Sequence, residues 1–138
     1  MSHQSTDTAE PLVLASEADV VRVRQAVRAA AVAATFSLVD QTKLVTATSE
    51  LARNTLVYGG GGRVLVQTVD RDRRRGVLVE FVDEGPGIPD VDLAMTDGWT
   101  SGSGLGLGLS GAKRLVDEFD LETAPGKGTS VRVTKWKR

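Results

Sequence analysis

The largely apolar run Val77 to Val82 passes without a spacer into Asp83-Glu84-Gly85-Pro86-Gly87-Ile88-Pro89, and this junction limits what the chain can fold into. In a strand the side chains alternate between faces, so Asp83 falls on the face of Val77, Val79 and Phe81, and Leu78, Glu80 and Val82 fall on the other. A carboxylate that closes an apolar face is costly unless something satisfies it. The strand must therefore end where Asp83 finds a partner, either in the turn that follows or in a bound group.

The rest of the chain supplies layers around that strand. Residues 1–10 are polar and nearly without apolar side chains, which predicts a disordered tail ahead of one domain spanning 11–138. Leu12-Val13-Leu14 is a short candidate strand, and Ser16 with Glu17 and Asp19 is a helix-start signal. Val20, Val23, Val27, Ala30, Ala31 and Ala34 then recur at helical spacing. Asp40 is the next candidate N-cap, with Leu44, Ala47 and Leu51 as the buried stripe of a second helix that stops at Gly59 to Gly62. Arg63 to Val69 alternates as a strand with Val64, Val66 and Thr68 on one face, and Asp70 to Gly76 reads as the connection to Val77–Val82, paired antiparallel. Leu109, Ala112, Leu115 and Val116 mark a third helix, with Phe119 packing where it ends. Leu121 to Ala124 and Thr129 to Trp136 are strands around Pro125-Gly126-Lys127-Gly128. This order predicts an α/β (α+β) two-layer sandwich, a mixed, mostly antiparallel sheet with about three helices on one face. The regular βαβ alternation of a Rossmann domain is absent.

Composition removes several function classes. There is no cysteine, which excludes disulfides, thiolate zinc sites and thiol nucleophiles. The one histidine, His3, sits in the tail, so the fold has no histidine base and no histidine phosphoacceptor of its own. A net charge of −1 asks for neither nucleic acid nor an anionic membrane. The basic clusters, Arg71 with Arg73 to Arg75 and Lys135 with Lys137 and Arg138, read as solvated turn and terminus residues. No apolar run approaches the roughly 20 residues that span a bilayer, and there is no signal-peptide pattern, so a cytoplasmic protein is expected.

Four local signals carry chemistry. Asp83 can accept a hydrogen bond from an exocyclic amine such as adenine N6 or can cap the following turn, and Gly85 and Gly87 let the backbone approach a flat ring. Thr129 shares the inner face of the last strand with Val131 and Val133; its hydroxyl either reaches the same base or merely begins a strand. Glu50 and Asn54, at i and i+4, share one helix face about 6 Å apart. Asn54 offers Mg²⁺ a neutral oxygen and Glu50 can take a proton from a hydroxyl, unless the pair is only a solvated face. The stretch Gly102-Ser103-Gly104-Leu105-Gly106-Leu107-Gly108 opens the third helix with unencumbered N–H groups suited to phosphate. No strand runs into it and no Gly-Lys-Ser/Thr follows, so neither a Rossmann nor a Walker A reading holds.

In this order the motifs resemble the GHKL (Bergerat-fold) superfamily of ATP-binding domains. Glu50-Leu51-Ala52-Arg53-Asn54 is similar to its N box, Asp83 to Gly87 to its G1 box, Gly102 to Gly108 to its G2 box, and Gly128-Thr129 to its last adenine-contacting element. Within the superfamily the chain resembles the RsbT-like switch serine/threonine kinases of the bacterial stressosome from about residue 12 onward. Val39-Asp40-Gln41, Ser49 to Asn54, Gly85 to Pro89, Asp97-Gly98, Lys113-Arg114-Leu115, Asp117-Glu118-Phe119 and Lys135-Trp136 carry that likeness.

The resemblance implies an ATP/Mg²⁺-dependent serine/threonine protein kinase that phosphorylates a partner with a STAS domain, is released, and then switches on a phosphatase; a homodimer is compatible with it. It implies Asn54 as the Mg²⁺ ligand, Asp83 as the adenine anchor and Glu50 as the base. Gly85, Gly87, Gly102, Ser103, Gly104, Leu105, Gly106 and Gly108 would line the nucleotide, with Ile88 and Thr129 at the base. Two features depart from the pattern: Arg53 precedes Asn54, either near the phosphates or facing solvent, and the lid between Gly87 and Gly102 is short. Competing expectations are an anti-sigma factor kinase that sequesters a sigma factor and a nucleotide-dependent docking module with little transfer.

Overall fold

The computed structural model describes residues 11–88, 91, 95 and 108–138. Within them the chain runs β1 (Leu12–Leu14), α1 (Glu17–Ala33), α2 (Leu38–Val57), β2 (Gly62–Arg71), β3 (Arg74–Asp83), α3 (Leu109–Arg114), β4 (Glu118–Thr123) and β5 (Thr129–Trp136). The five strands form one sheet in the order β1-β2-β3-β5-β4, and all four of these pairings are antiparallel. The segment Asp90–Thr100 lies outside the described residues except for Val91 and Met95, whose amide donates to the Val91 carbonyl at 2.9 Å.

Helix α1 begins where the sequence signal places it. Ser16 is the N-cap and forms a reciprocal capping box with Asp19, which ties off amides at the helix start. Its predicted stripe is buried in full: Val20, Val23, Val27, Ala30, Ala31 and Ala34 are all at or below 1% exposure. The alanines let α1 lie close against α2, whose Leu44, Ala47, Leu51 and Ala52 complete the layer. Across from them the sheet presents Val64 and Val66 of β2, Val77, Val79 and Phe81 of β3, and Val131 and Val133 of β5. Register aligns these in rows, Val64 with Phe81 and Val131, Val66 with Val79 and Val133.

Four boundaries differ from the sequence expectation. The N-cap of α2 is Ser37, whose Oγ accepts from the Asp40 amide at 3.2 Å; Asp40 sits one turn inside. A serine three residues upstream offers the same capping oxygen with a shorter reach to the free amides, and Asp40 still faces the helix dipole favourably. The β2–β3 hairpin turns on Asp72 and Arg73 alone, both at positive φ (54° and 68°), so its strands run to Arg71 and from Arg74. That backbone belongs to tight two-residue hairpins, which usually advertise themselves with glycine or asparagine. Helix α3 ends at Arg114, leaving Leu115 as its C-cap, and Phe119 belongs to β4.

A further correction concerns Lys135. It is not a solvated terminus residue: it lies on the inner face of β5 at 3% exposure, with Nζ 3.7 Å from Asp40 Oδ1. On the opposite face Trp136, 1% exposed, is covered by the guanidinium groups of Arg71 and Arg74 at 4.8 and 4.9 Å from its ring. Its indole N–H donates to Glu118 at 3.0 Å, and Arg71 pairs with the same carboxylate at 2.9 Å. The two arginines therefore act locally, as a lid over an aromatic ring.

Candidate functional site

Antiparallel register assembles one end of the sheet into a transverse row. Gly62 of β2 stands opposite Asp83, Asp83 opposite Thr129, and Thr129 opposite Thr123 of β4. A carboxylate from β3 and two hydroxyls from the β4–β5 hairpin thus come together on the face that looks toward the helices. Above the row, Leu51, Asn54, Thr55 and Tyr58 of α2 come down at its C-terminal end. Ile88, Leu109, Phe81 and Val131 complete a pocket with Asp83 and Thr129 at its floor. Mostly apolar walls with a few convergent polar groups are the build of a small-molecule site.

Asp83 is 9% exposed. Its Oδ1 accepts from the Gly85 amide at 2.9 Å, and the backbone N–H of Thr129 lies near enough to favour the charged carboxylate. Burial pushes its pKa up, and the two amides pull the other way. Asp83 therefore caps the turn, as one of its two sequence readings has it, and the same side chain lines the pocket. The carboxylate has room because its neighbour is Gly59. A Cβ on Gly59 would lie 2.4 Å from Asp83 Cγ and 2.5 Å from Oδ2. The glycine run that ends α2 thus does more than terminate a helix.

The turn after Asp83 is held from both sides. Gly87, at φ +76°, would drive a Cβ to 2.1 Å from the Ala124 carbonyl, so only glycine fits on two independent grounds. Tyr58 Oη donates to the Gly87 carbonyl at 3.2 Å, Gly126 N–H to that of Pro86 at 2.7 Å, and Ile88 N–H to Thr123 Oγ1 at 2.9 Å. Gly85 packs on Gly59, where a Cβ would meet the carbonyl oxygen at 2.6 Å. Ile88, 6% exposed, is thereby fixed as a pocket wall.

Glu50 and Asn54 share a helix face, as i and i+4 require, but differ in setting. Asn54 is half-buried in the pocket wall, whereas Glu50 is exposed. Gly108, the left-handed N-cap of α3, lies against Glu50: a Cβ there would be 3.2 Å from Oε1. The end of the glycine-rich stretch and the carboxylate are thus neighbours. Gly102, Ser103, Gly104, Leu105 and Gly106 lie outside the described residues. Arg53 is exposed. No group of three or more His, Cys, Asp or Glu side chains able to hold a metal occurs among the described residues. A neutral oxygen from Asn54 suits a Mg²⁺ ion that takes its other ligands from phosphates and water rather than from a protein cage.

Sequence reasoning missed Thr55, Tyr58, Gly59 and Thr123. Tyr58 follows Asn54 by one helical turn, so periodicity alone could have placed it beside the pocket. Thr123 carried no signal, because its place depends on which strand lies next to β5.

The chain matches the family described as histidine kinase-, DNA gyrase B-, and HSP90-like ATPases over residues 39–138. It is 43% identical over 123 residues to the serine/threonine-protein kinase RsbT of Bacillus subtilis (strain 168), covering 89% of this chain and 92% of that protein. It is 33% identical over 95 residues to the anti-sigma F factor of Thermoanaerobacter sp. (strain X514), 66% of each chain. To the anti-sigma F factor of Clostridium acetobutylicum it is 32% identical over 107 residues, 73% of this chain and 72% of the relative. Among solved structures, the catalytic domain of the histidine kinase ThkA superposes with a TM-score of 0.52 at 21% identity, covering 71% of this chain and 68% of that one, a likeness of fold.

Proposed function

The chain belongs to the histidine kinase-, DNA gyrase B- and HSP90-like ATPase family, and from that premise we propose that it is an ATP/Mg²⁺-dependent serine/threonine protein kinase of a partner-switching, sigma-factor-regulating system. Its substrate on this reading is a serine or threonine of a STAS-domain protein, and once free it activates a phosphatase. The observation that carries the proposal is the pocket that gathers Asn54, Asp83, Ile88, Leu109 and Thr129 from separate parts of the chain.

The pocket divides into two ends. Asp83 and Thr129, on the sheet, would hold the purine, and Ile88 would line the same end of the pocket. Asn54, one turn before the C-cap Tyr58 of α2, would supply an oxygen to Mg²⁺. Gly108, at the N-cap of α3, would offer its N–H to the phosphates. Glu50, exposed and beside Gly108, stands where a protein hydroxyl can approach from solvent and takes the proton that hydroxyl gives up. Bound Mg²⁺·ATP supplies the transferable phosphoryl group and the cation that neutralises its charge.

The test is incubation with labelled ATP, Mg²⁺ and the STAS-domain proteins of the same genome. Transfer of label to a serine or threonine of one of them is expected, and absence of label on every one would sink the substrate assignment. The anti-sigma F relatives favour a second reading, in which the kinase also sequesters a sigma factor. A pull-down that retains a sigma factor and no STAS protein would select that reading instead.

A further inference from the structure

Helix α2 turns one continuous ridge to solvent. Val39, Lys43, Thr46, Glu50, Arg53 and Val57 follow one another by four and three residues in turn, which keeps them on one helix face, and all of them are exposed. The opposite stripe, Leu44, Ala47 and Leu51, is the one buried against the sheet. Glu50 stands within the ridge, beside Gly108 at the start of α3. Asn54 points into the pocket wall, and Arg53, one residue back, is turned about 100° from it, toward solvent.

The charges of the ridge serve nothing within the described residues. Lys43, Glu50 and Arg53 have no hydrogen-bond or ion-pair partner there, although Glu50 and Arg53, at i and i+3, are close enough to pair. What must cover Arg53 makes this informative. A protein that brings a hydroxyl to Glu50 brings a surface with it, and a standard interface takes roughly 800 Å² from each partner, a patch of about 16 Å radius. Along the helix Arg53 and Thr46 lie about 5–6 Å from Glu50, Lys43 and Val57 about 10 Å, and Val39 about 16 Å. A patch of half that area still covers Arg53, and a guanidinium that loses its water there needs an acceptor in exchange.

We infer that Arg53 is a specificity-determining residue for the protein substrate. It meets a carboxylate on the substrate surface about one helical turn from the hydroxyl that receives the phosphate, and the exposed face of α2 is the docking surface. Lys43 favours a partner of the same sign, and Val39 and Val57, 62% and 48% exposed, give the ridge apolar ends. The inference rests on the kinase reading of the site.

The test is steady-state phosphorylation of the STAS-domain protein that wild type labels, with KM for that protein, kcat and ATP affinity measured for wild type, Arg53→Glu, Arg53→Lys and Arg63→Glu. Arg63 is exposed on the sheet face away from the helices, so its variant repeats the charge reversal off the ridge. Arg53→Glu is expected to raise KM for the protein about tenfold, with kcat, ATP affinity and melting close to wild type, and the rise should shrink at high salt. Arg53→Lys and Arg63→Glu are expected to stay within about threefold of wild type. Should Arg53→Glu not melt cooperatively, Arg53→Ala takes its place. An unchanged KM overturns the inference. So does a loss confined to kcat or to ATP affinity, which would put Arg53 on the phosphates, and so does a lysine variant as impaired as the glutamate one. An equal rise in KM for Arg63→Glu overturns it as well, because net charge would then explain the effect. Failure of the underlying reading looks different: wild type would label no STAS-domain protein, and the inference would fall with it.

Discussion

Replacing Asp83 by asparagine separates recognition of the base from stability of the fold. Asparagine keeps the size and one carbonyl oxygen, so the Gly85 amide that Oδ1 holds at 2.9 Å still has its acceptor. The second oxygen becomes an NH₂ group, which cannot accept from the amino group of the base. One charge-assisted hydrogen bond to the ligand is lost and a donor faces a donor. In a site with 9% exposure this weakens ATP binding by roughly 1–3 kcal/mol, about 5- to 150-fold. Stability should move the other way. Burial raises the native pKa of Asp83, so its protonated form is the one folding favours. In the wild type its contribution is fully present below the ordinary aspartate pKa and is lost as pH rises through the raised native value. The introduced asparagine does not titrate, so across that window the variant should lose less stability with rising pH than the wild type, and at neutral pH it should melt no lower. Calorimetric ATP titration with Mg²⁺, joined to thermal melts from about pH 4 to 8, measures both. Wild-type ATP affinity in a variant that melts cooperatively would refute Asp83 as the base anchor.

Gly59→Ala should weaken ATP binding in the same direction as Asp83→Asn, because its Cβ displaces the carboxylate; Gly60→Ala, at φ +77° with open space around it, should cost about 1–2 kcal/mol of stability and leave ATP affinity alone. Equal ATP titrations for the two variants would contradict the Gly59–Asp83 packing argument. Glu50→Ala should bind ATP as wild type does and transfer phosphate about 10²–10⁴ times more slowly to its protein substrate, and an unchanged single-turnover rate would remove Glu50 as the base. Asn54→Ala should abolish transfer while the melt persists, and full transfer by that variant at the Mg²⁺ concentration that serves wild type would count against its role. Lys135→Met leaves Asp40 buried beside an uncharged chain and should lower unfolding stability by about 3 kcal/mol in denaturant titration, with ATP affinity intact.

What the sequence could reveal was whatever depends on short range. The helix start at Ser16, the alanine-rich stripe of α1 and the alternation of Val77, Val79, Phe81 and Asp83 follow from signals within one element, and the structure keeps all of them. Two local signals misled for local reasons. Asp40 and Ser37 both make good caps, and the helix starts at the earlier one because that adds a turn of hydrogen bonds. The Asp72-Arg73 turn lacks the glycine that would have announced it, so charge was read as loop.

The remaining features depend on long-range pairing. Lys135 looks like a surface cation in any window of sequence, and it is buried only because β5 enters the centre of the sheet, beside β3, with Asp40 above it. Thr123 and Thr129 look like two β-formers six residues apart. They become a hydrogen-bonded hydroxyl pair because a hairpin sets them opposite each other, and the Ile88 turn descends onto one of them. The row Gly62, Asp83, Thr129, Thr123 is thus a property of register, and a one-residue slip of any strand would dissolve it by turning that side chain to the other face. The buried Val66, Val79 and Val133 of the same strands hold that register, since a slip would also expose them. The apolar core therefore does more than stabilise the fold: it sets which polar groups line the floor of the pocket.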